Sequence, residues 1–92
     1  MSDTAHRHLK IVNEKGLHAR ASAKLVEVVE GFDATAEVSR DGMSASGDSI
    51  MGLLMLAASK GTTIEVQTSG PDAEALAQAV EALVADRFGE EM

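Results

Sequence analysis

Three residues whose chemistry suits phosphate, Gly16, His18 and Arg20, lie within a five-residue stretch near the start of the chain. Helix-forming residues follow from about Ala19 to Glu30, so His18 is expected just before the first turn of a helix. The first N–H groups of a helix have no partner inside it, and they attract anions such as phosphate. An imidazole nitrogen can carry a phosphoryl group, and a guanidinium binds phosphate oxygens. The pattern predicts that His18 accepts a phosphoryl group, held by Arg20 and by the backbone of Ala19 and Arg20.

A plainer interpretation of this stretch stays open, because a histidine near a helix start is more often a surface residue or a local hydrogen-bonding group. His6 and His8 lie two residues apart near the start of a predicted strand, and together they could bind a metal ion. Two ligands without a third nearby make a poor site, so no metal site is expected, and His8 is expected on the exposed strand face. The sequence shows no paired carboxylates or nucleophile–base set of the kind that a small hydrolase needs.

The composition narrows the classes of protein that fit. With 92 residues, 45 % of them apolar, the chain is expected to form a single domain over 1–92, ordered from about 7 to 88. Its net charge of −7 makes nucleic acids and anionic membrane surfaces poor partners. There is no cysteine, no secretory signal and no apolar run of the ~20 residues that span a bilayer. A cytoplasmic protein without disulfides or membrane insertion is expected.

The elements that would position His18 follow from hydrophobic periodicity. Alternating apolar and polar residues predict four strands, and apolar residues at helical spacing predict three helices. The Asp41-Gly42 pair between two alternating segments predicts a tight hairpin. Four strands with one apolar face need helices on that face, so a two-layer α+β fold is predicted. The expected strands cover residues 7–12, 34–39, 43–46 and 62–68. The expected helices run from 19 to about 30, from 50 to about 60 and from 73 to about 88. Residues 1–6 and 89–92 are expected to fray.

The second predicted helix combines a capping residue with an apolar surface. Ser49 or Asp48 is placed to cap its N-terminus. Its inward side is expected to hold Ile50, Leu53, Leu54 and Ala57. Met51, Leu54 and Met55 do not all fit on that buried stripe, so a small methionine-rich exposed patch is expected. Met55 itself is expected to pack against the protein.

The segment GLHARASAKLV, from Gly16 to Val26, resembles the active-site segment of HPr, the histidine-containing phosphocarrier family of the bacterial phosphotransferase system. A second segment, from Ser49 to Leu53, resembles the helix that carries the family's regulatory serine. The order of the elements, the Asp-Gly hairpin and the 60–62 Lys-Gly-Thr sequence agree as well. The resemblance covers about residues 7–88, which is nearly the whole chain.

The resemblance implies an open-faced β-sandwich of order βαββαβα, with a four-stranded antiparallel sheet in the order 1-4-2-3 and three helices on one face. It implies that His18 accepts a phosphoryl group on Nδ1 from phosphorylated enzyme I, ultimately from phosphoenolpyruvate. The group would pass to a histidine of an enzyme IIA-type protein, so the chain would be a relay without a cofactor rather than an enzyme with its own turnover. Partners would dock on Ile50, Met51 and Leu54, beside a positive rim that includes Lys24.

Several points stay open within the resemblance. The family's usual proline after the arginine is Ala21 here, which frees the first helical turn, yet phosphotransfer is expected to survive. This departure favours an NPr-like regulatory branch, linked to nitrogen and potassium, over sugar transport. An HPr kinase/phosphorylase would act on Ser49, and a regulatory module controlled through Ser49 is the alternative to a carrier. A monomer is expected, because His18 must face two partners in turn.

Overall fold

The computed structural model of the chain describes residues 3–92. It contains four strands and three helices, followed by one turn of 3₁₀-helix. In chain order these elements are β1 (Thr4–Lys10), α1 (Ala19–Glu30), β2 (Thr35–Arg40), β3 (Met43–Ser46), α2 (Ile50–Met55), β4 (Thr63–Ser69), α3 (Ala73–Ala85) and the 3₁₀ turn (Arg87–Gly89). The predicted order βαββαβα is confirmed. None of the helices between residues 3 and 92 has the length and apolar character needed to cross a bilayer.

The four strands form one antiparallel sheet in the order β1-β4-β2-β3, as expected. The register places His8 of β1 opposite Glu65 of β4, and Val38 of β2 opposite Val66 of β4. Buried and exposed residues alternate strictly along β4, so one face of the sheet meets the helices and the other faces water. The two-layer α+β architecture with three helices on one face is therefore confirmed.

Aliphatic side chains fill the space between the sheet and the helices. The sheet contributes Val38 and Val66, and the helices contribute Leu25 and Leu76, all of them fully buried. The largest fully buried side chains include Phe88, Ile11, Leu25, Leu53, Leu56, Ile64 and Leu76. A side chain of this size contributes about 1.5–3 kcal/mol when it leaves water, so burial is the main force that joins the two layers.

The β2–β3 hairpin forms where the Asp-Gly pair predicts it. Asp41 has φ 50° and Gly42 has φ 81°, so both central residues are left-handed, as the tight turn that suits twisted strands requires. Asparagine, aspartate and glycine tolerate this backbone best, and the pair therefore fixes the register of Met43–Ser46 against β2.

Two predictions near the strands and the second helix are wrong. β1 begins at Thr4, although residues 1–6 are expected to fray. Met1 and Ser2, the first residues of that segment, lie outside the described residues. Met55, expected to pack, has 68 % of its surface exposed, and the buried residues of the α2 region are Leu53 and Leu56. The inward side differs from the expected one because α2 ends at Met55 and the chain then turns through a left-handed residue at position 57.

The C-terminal segment, also expected to fray, is attached to the protein. α3 ends at Ala85, and Arg87 and Phe88 follow with φ 57° and 55°, a left-handed pair that reverses the chain direction. Phe88 is fully buried and its carbonyl oxygen accepts a hydrogen bond of 2.8 Å from Nζ of Lys24. This reversal brings Glu90 back to the start of α1.

Candidate functional site

The loop between β1 and α1 is built around a buried asparagine. Asn13 is fully buried, and its side-chain Nδ2 donates to the backbone carbonyl oxygen of Gly16 at 2.8 Å. The backbone carbonyl oxygen of Asn13 accepts from the Gly16 N–H at 3.2 Å. The next residue, Leu17, donates its N–H to the carbonyl oxygen of Ala58 at 2.8 Å. These bonds join the loop to itself and to the segment after α2, so the residue that follows Leu17 is held in one place.

Gly16 is required by the close approach of two backbone segments. It has φ +67°, and a Cβ atom there would lie 2.5 Å from the carbonyl oxygen of Ala58 and 2.9 Å from Cα of Ser59. Both neighbours are backbone atoms, which cannot move aside as the end of a side chain can. The glycine of the Gly-x-His-x-Arg pattern is thus explained by packing and by its left-handed backbone.

His18 is the N-cap residue of α1, with φ −80° and ψ −175°. Its carbonyl oxygen accepts the N–H of Ser22 at 2.8 Å, whereas its side chain makes no capping bond. The imidazole is instead hydrogen-bonded through Nε2 to the Oε2 atom of Glu90. About a quarter of the histidine side chain, 27 %, remains exposed. His18 is therefore held at the helix start by the backbone and oriented by a carboxylate from the chain end.

The contact with Glu90 determines which ring nitrogen of a neutral His18 carries the proton. A carboxylate can only accept a hydrogen bond, so the Nε2 atom of a neutral imidazole beside it carries the proton. The Nδ1 atom of His18 is then left with its lone pair free. A ring held in this tautomer presents Nδ1 as the nucleophile.

Glu90 is itself fixed by several partners. Its Oε1 atom accepts from Nδ2 of Asn13 at 2.9 Å, and only 15 % of its side chain is exposed. Burial raises the pKa of this carboxyl, but the hydrogen bonds from Asn13 and His18 and the charges of His18 and Lys15 together outweigh burial and lower the pKa below its ordinary value. Glu90 is thus a carboxylate at neutral pH and can offset positive charge on the imidazole.

Charged side chains of both signs surround His18. Lys15, Arg20 and Lys24 line a cavity of about 370 Å³ together with His18, and the carboxylates Glu14, Glu90 and Glu91 line the same cavity. Within residues 3–92 the guanidinium of Arg20 makes no hydrogen bond or ion pair, so it is free to bind an anion.

The backbone at the start of α1 provides further hydrogen-bond donors beside His18. The N–H groups of Ala19, Arg20 and Ala21 are the first of the helix and have no acceptor inside it. Because Ala21 stands where the resembling family has proline, this chain has one donor more than that family pattern provides. Backbone donors, a free guanidinium and a nucleophilic imidazole thus meet at one helix start, an arrangement that can receive a phosphoryl group.

The predicted docking residues lie on α2 and around its start. Ile50 and Met51 are exposed, with 40 % and 70 % of their surfaces accessible, and both follow the N-cap Ser49. Leu54 is half-buried and shares with His18 the lining of a second, open cavity of about 270 Å³. Lys24 lies beside His18 in the first cavity, where it is bonded to the chain end. The structure therefore brings Leu54 and Lys24 close to His18, on two sides.

Two residues of the site carry no recognisable signal in the sequence. Asn13 resembles any asparagine of a polar loop, and its burial becomes evident only when the loop has closed on Gly16. Glu90 lies in a short acidic tail, and its contact with His18 depends on the reversal of the chain at Arg87 and Phe88. Glu90 lies more than seventy residues along the chain from each of its two partners, Asn13 and His18. Local patterns in the sequence give no information about contacts at such a separation.

Comparison with known proteins identifies relatives of this chain. A family model described as "PTS HPr component phosphorylation site" matches residues 5–86. The phosphocarrier protein HPr of Cupriavidus necator is 46 % identical over 84 residues, which cover 91 % of this chain and 94 % of that protein. The phosphocarrier protein NPr of Escherichia coli is 40 % identical over 89 residues, covering 96 % of this chain and 99 % of that protein.

Solved structures of the same fold are also similar. A crystal structure of HPr-C-His from Thermoanaerobacter tengcongensis matches with a TM-score of 0.91 and 32 % identity, covering 96 % of this chain and 99 % of that one. A crystal structure of an HPr dimer from the same organism matches with a TM-score of 0.75 and 33 % identity, covering 89 % of this chain and 94 % of that one.

An open-faced β-sandwich with a histidine at the start of its first helix, beside an unpaired arginine, defines a small protein that carries a phosphoryl group. The chain belongs to the HPr family of phosphocarrier proteins of the bacterial phosphotransferase system. Its relatives are named for carrying phosphate, so its role is that of a phosphorylated relay rather than of an enzyme with its own turnover. The family works with the enzymes I and IIA of that system.

Proposed function

We propose that His18 accepts a phosphoryl group on Nδ1 from phosphorylated enzyme I, which obtains it from phosphoenolpyruvate, and passes it to a histidine of an enzyme IIA-type protein. The observation that carries this proposal is the hydrogen bond between Nε2 of His18 and Glu90, which leaves Nδ1 free. His18 stands at the start of α1, where backbone N–H groups have no helical acceptor, and the unpaired Arg20 lines the same cavity.

The transfer step is a displacement at phosphorus. The lone pair on Nδ1 of His18 attacks the phosphorus atom, and the bond between phosphorus and the donor breaks with its electron pair returning to the donor. The proton on Nε2 stays in place, hydrogen-bonded to Glu90, whose negative charge offsets the positive charge that develops on the ring. Arg20 and the N–H groups of Ala19 and Arg20 bind the phosphoryl oxygens, and the reverse displacement delivers the group to the acceptor histidine.

Partner docking is assigned to the exposed side of α2. Ile50 and Met51 present apolar surface to solvent, and a flexible methionine adapts to partners of different shape. Leu54 extends this surface towards His18, since both line one cavity. Lys24 contributes a positive charge beside the phosphate site, although its ammonium also donates to the carbonyl oxygen of Phe88. One continuous surface thus serves the donor and the acceptor in turn, as a monomer allows.

The experiment is phosphorylation of the full chain with enzyme I, magnesium and phosphoenolpyruvate, followed by intact mass measurement. We expect one acid-labile phosphate per chain, absent from His18→Ala. His8→Ala is the matched control, because this histidine lies on the exposed sheet face, and it should gain the same single phosphate. An adduct that persists in His18→Ala, or no adduct when enzyme I is active on another carrier, contradicts the proposal.

Regulation through Ser49 is the second candidate function. Its Oγ atom accepts the N–H of Gly52 at 3.0 Å as the N-cap of α2, and it directly precedes Ile50 and Met51. Phosphorylation there by an ATP-dependent HPr kinase/phosphorylase would place about two negative charges beside the docking surface and would weaken binding of a phosphorylated or acidic partner.

A kinase assay separates this regulation from simple capping. Incubation with the kinase and ATP should yield acid-stable phosphate on the wild type and none on Ser49→Ala, whereas Ser44→Ala, an exposed serine of β3, should be modified normally. Absence of acid-stable phosphate from the wild type would leave Ser49 as a capping residue only.

The branch of the phosphotransferase system is the remaining part of the proposal. Relatives named HPr and NPr both match most of the chain, and Ala21 in place of the family proline favours the NPr-like regulatory branch over sugar transport. Transfer from the phosphorylated chain to purified acceptors of the two branches tests the assignment. Faster transfer to the sugar-specific acceptor would reverse it.

A further inference from the structure

We infer that His6, His8 and Glu65 form a binding site for a divalent transition-metal ion, best suited to Zn²⁺, on the face of the sheet opposite the helices. His6 and His8 are two residues apart on β1, so their side chains emerge on the same, exposed face. β4 pairs with β1 and places Glu65 directly opposite His8. Glu65, which lies 57 residues from His8 along the chain, thus supplies a third ligand that the sequence alone does not indicate.

The side chains already converge on one point. The Nε2 atom of His8 lies 2.9 Å from Oε2 of Glu65, and the Nε2 atom of His6 lies 3.3 Å from Oε1 of the same carboxylate. The three ligand atoms all lie within 4.8 Å of one another. Atoms bound at about 2 Å from a tetrahedral ion are about 3.3 Å apart, so only small movements of exposed side chains are needed to hold the ion.

The chemistry of the three groups selects the class of ion. Imidazole nitrogen and carboxylate oxygen are ordinary ligands of Zn²⁺, and two histidines with one glutamate leave a fourth position for water. Mg²⁺ and Ca²⁺ prefer sites built from oxygen alone, so they are poor competitors here. Each imidazole binds through the lone pair of Nε2 with one proton on Nδ1, so a neutral ring protonated on Nε2 first moves that proton through water to Nδ1, and a positively charged ring releases its Nε2 proton to solvent.

The position of the site gives it a structural effect that is separate from phosphate transfer. β1 lies at the edge of the sheet and pairs with β4, so an ion held by His6, His8 and Glu65 joins the two strands from the outside. His18 and its cavity lie with the helices on the opposite side of the sheet. Binding to the folded chain alone raises its stability in proportion to the free ion concentration.

The test is a Zn²⁺ titration of the full chain, carrying no polyhistidine tag and cleared of metal with a chelator, followed by isothermal calorimetry at neutral pH. We expect one Zn²⁺ per chain, and binding at least about tenfold weaker in each of His6→Gln, His8→Gln and Glu65→Gln. His18→Gln is the matched control, because it removes a histidine from the other side of the molecule, and it should bind Zn²⁺ like the wild type.

Nitrogen-15 spectra of the histidine side chains provide a readout that needs no substitution. Addition of Zn²⁺ should shift the Nε2 resonances of His6 and His8 and leave those of His18 in place. Absence of saturable binding, binding that survives all three cluster substitutions, or binding lost in His18→Gln would each overturn the assignment. In the last case the ion would be held at the phosphate site instead.

Discussion

At the scale of single residues, the two ring nitrogens of His18 have different roles in the proposed mechanism. Nε2 of His18 is held by Glu90, and the residue lines the cavity that Arg20 and Lys24 also line. Asn13 supports this arrangement, because its side-chain amide donates both to the carbonyl oxygen of Gly16 in the loop and to the carboxylate of Glu90. In the proposed mechanism the reactive atom therefore depends on the chain end as much as on the Gly-x-His-x-Arg segment.

Replacing Glu90 by glutamine tests the task of this carboxylate. A neutral amide cannot offset the positive charge on the phosphorylated ring, and a charge-assisted hydrogen bond contributes about 1.5–3 kcal/mol. We expect Glu90→Gln to accept phosphate from enzyme I about tenfold more slowly, as measured by rapid-quench phosphorylation. Glu91→Gln, which changes the neighbouring exposed carboxylate, should keep the wild-type rate. Equal rates for all three proteins would show that Glu90 does not assist transfer.

Gly16 permits a second prediction about a single residue. A methyl group there would meet the carbonyl oxygen of Ala58 at 2.5 Å, on a left-handed backbone. We expect Gly16→Ala to lower the free energy of unfolding in urea by about 2–4 kcal/mol. Gly61→Ala is the control, because Gly61 has φ +91° but nothing within 4 Å of the added atom, so only about 1 kcal/mol of backbone strain is expected. Similar losses in the two variants would exclude the proposed clash.

At the scale of elements, the proposed mechanism draws its backbone donors for phosphate from the start of α1. Ala21 is the third residue of this helix, and its N–H has no acceptor inside it. Proline at this position therefore removes no helical hydrogen bond and restricts the unfolded chain.

We expect Ala21→Pro to remain a phosphate acceptor and to gain about 0.5 kcal/mol of stability in urea unfolding. Ala23→Pro is the contrasting variant, because its N–H lies inside α1 and its loss should destabilise the helix by about 3 kcal/mol. Loss of phosphorylation in a folded Ala21→Pro protein would show that the alanine N–H is an essential phosphate donor.

The elements that could be predicted from the sequence are those determined by local signals. The bounds of α1 and the turn at Asp41-Gly42 follow from apolar spacing and from residues that tolerate a left-handed backbone. The inward side of α2 could not be predicted, because six residues are too few to show a helical period and the turn after Met55 redirects Leu56 into the core.

The residues of the candidate site also fall into two groups, those that local sequence signals indicate and those that only the tertiary structure brings into place. His18 and Arg20 are evident from residue type and spacing, since both act where they stand in the chain. Glu90 and Glu65 reach their histidines only through a reversal of the chain end and through strand pairing. Contacts of this kind depend on tertiary structure, and no local pattern in the sequence indicates them.

At the scale of the whole molecule, the chain end couples the site to overall stability. The hydrogen bonds from Asn13 and His18 lower the pKa of Glu90 despite the opposing effect of burial, which is the largest single influence. A carboxyl whose pKa is lowered by folding stabilises the protein above its unfolded-state pKa, and the contribution is lost as the pH falls through the folded-state pKa.

We therefore expect the free energy of unfolding of the wild type to fall more steeply than that of Glu90→Gln as the pH is lowered from neutral through the ordinary glutamate value of 4.5. Urea unfolding followed by circular dichroism across this range measures the difference. Glu30→Gln, at an exposed position of α1, should retain the wild-type slope. Parallel curves for the wild type and Glu90→Gln would mean that the tail is not attached through this carboxylate.

The two faces of the molecule carry separate chemistry. Helices and charged side chains surround His18 on one side of the sheet, and the histidine pair of β1 lies on the other. The lysines and arginine beside His18 share their cavity with Glu14, Glu90 and Glu91, so the unpaired guanidinium of Arg20, rather than an excess of positive charge, is the group available to a phosphoryl group there.

The most direct test of the carrier mechanism is a nitrogen-15 spectrum of the histidine side chains after phosphorylation by enzyme I and phosphoenolpyruvate. The structure predicts phosphorus coupling at Nδ1 of His18, with the proton retained on Nε2, and unchanged resonances for His6 and His8. A phosphoryl group on Nε2 of His18, or on either histidine of β1, would contradict the assignment of Glu90 as the group that selects the reactive nitrogen.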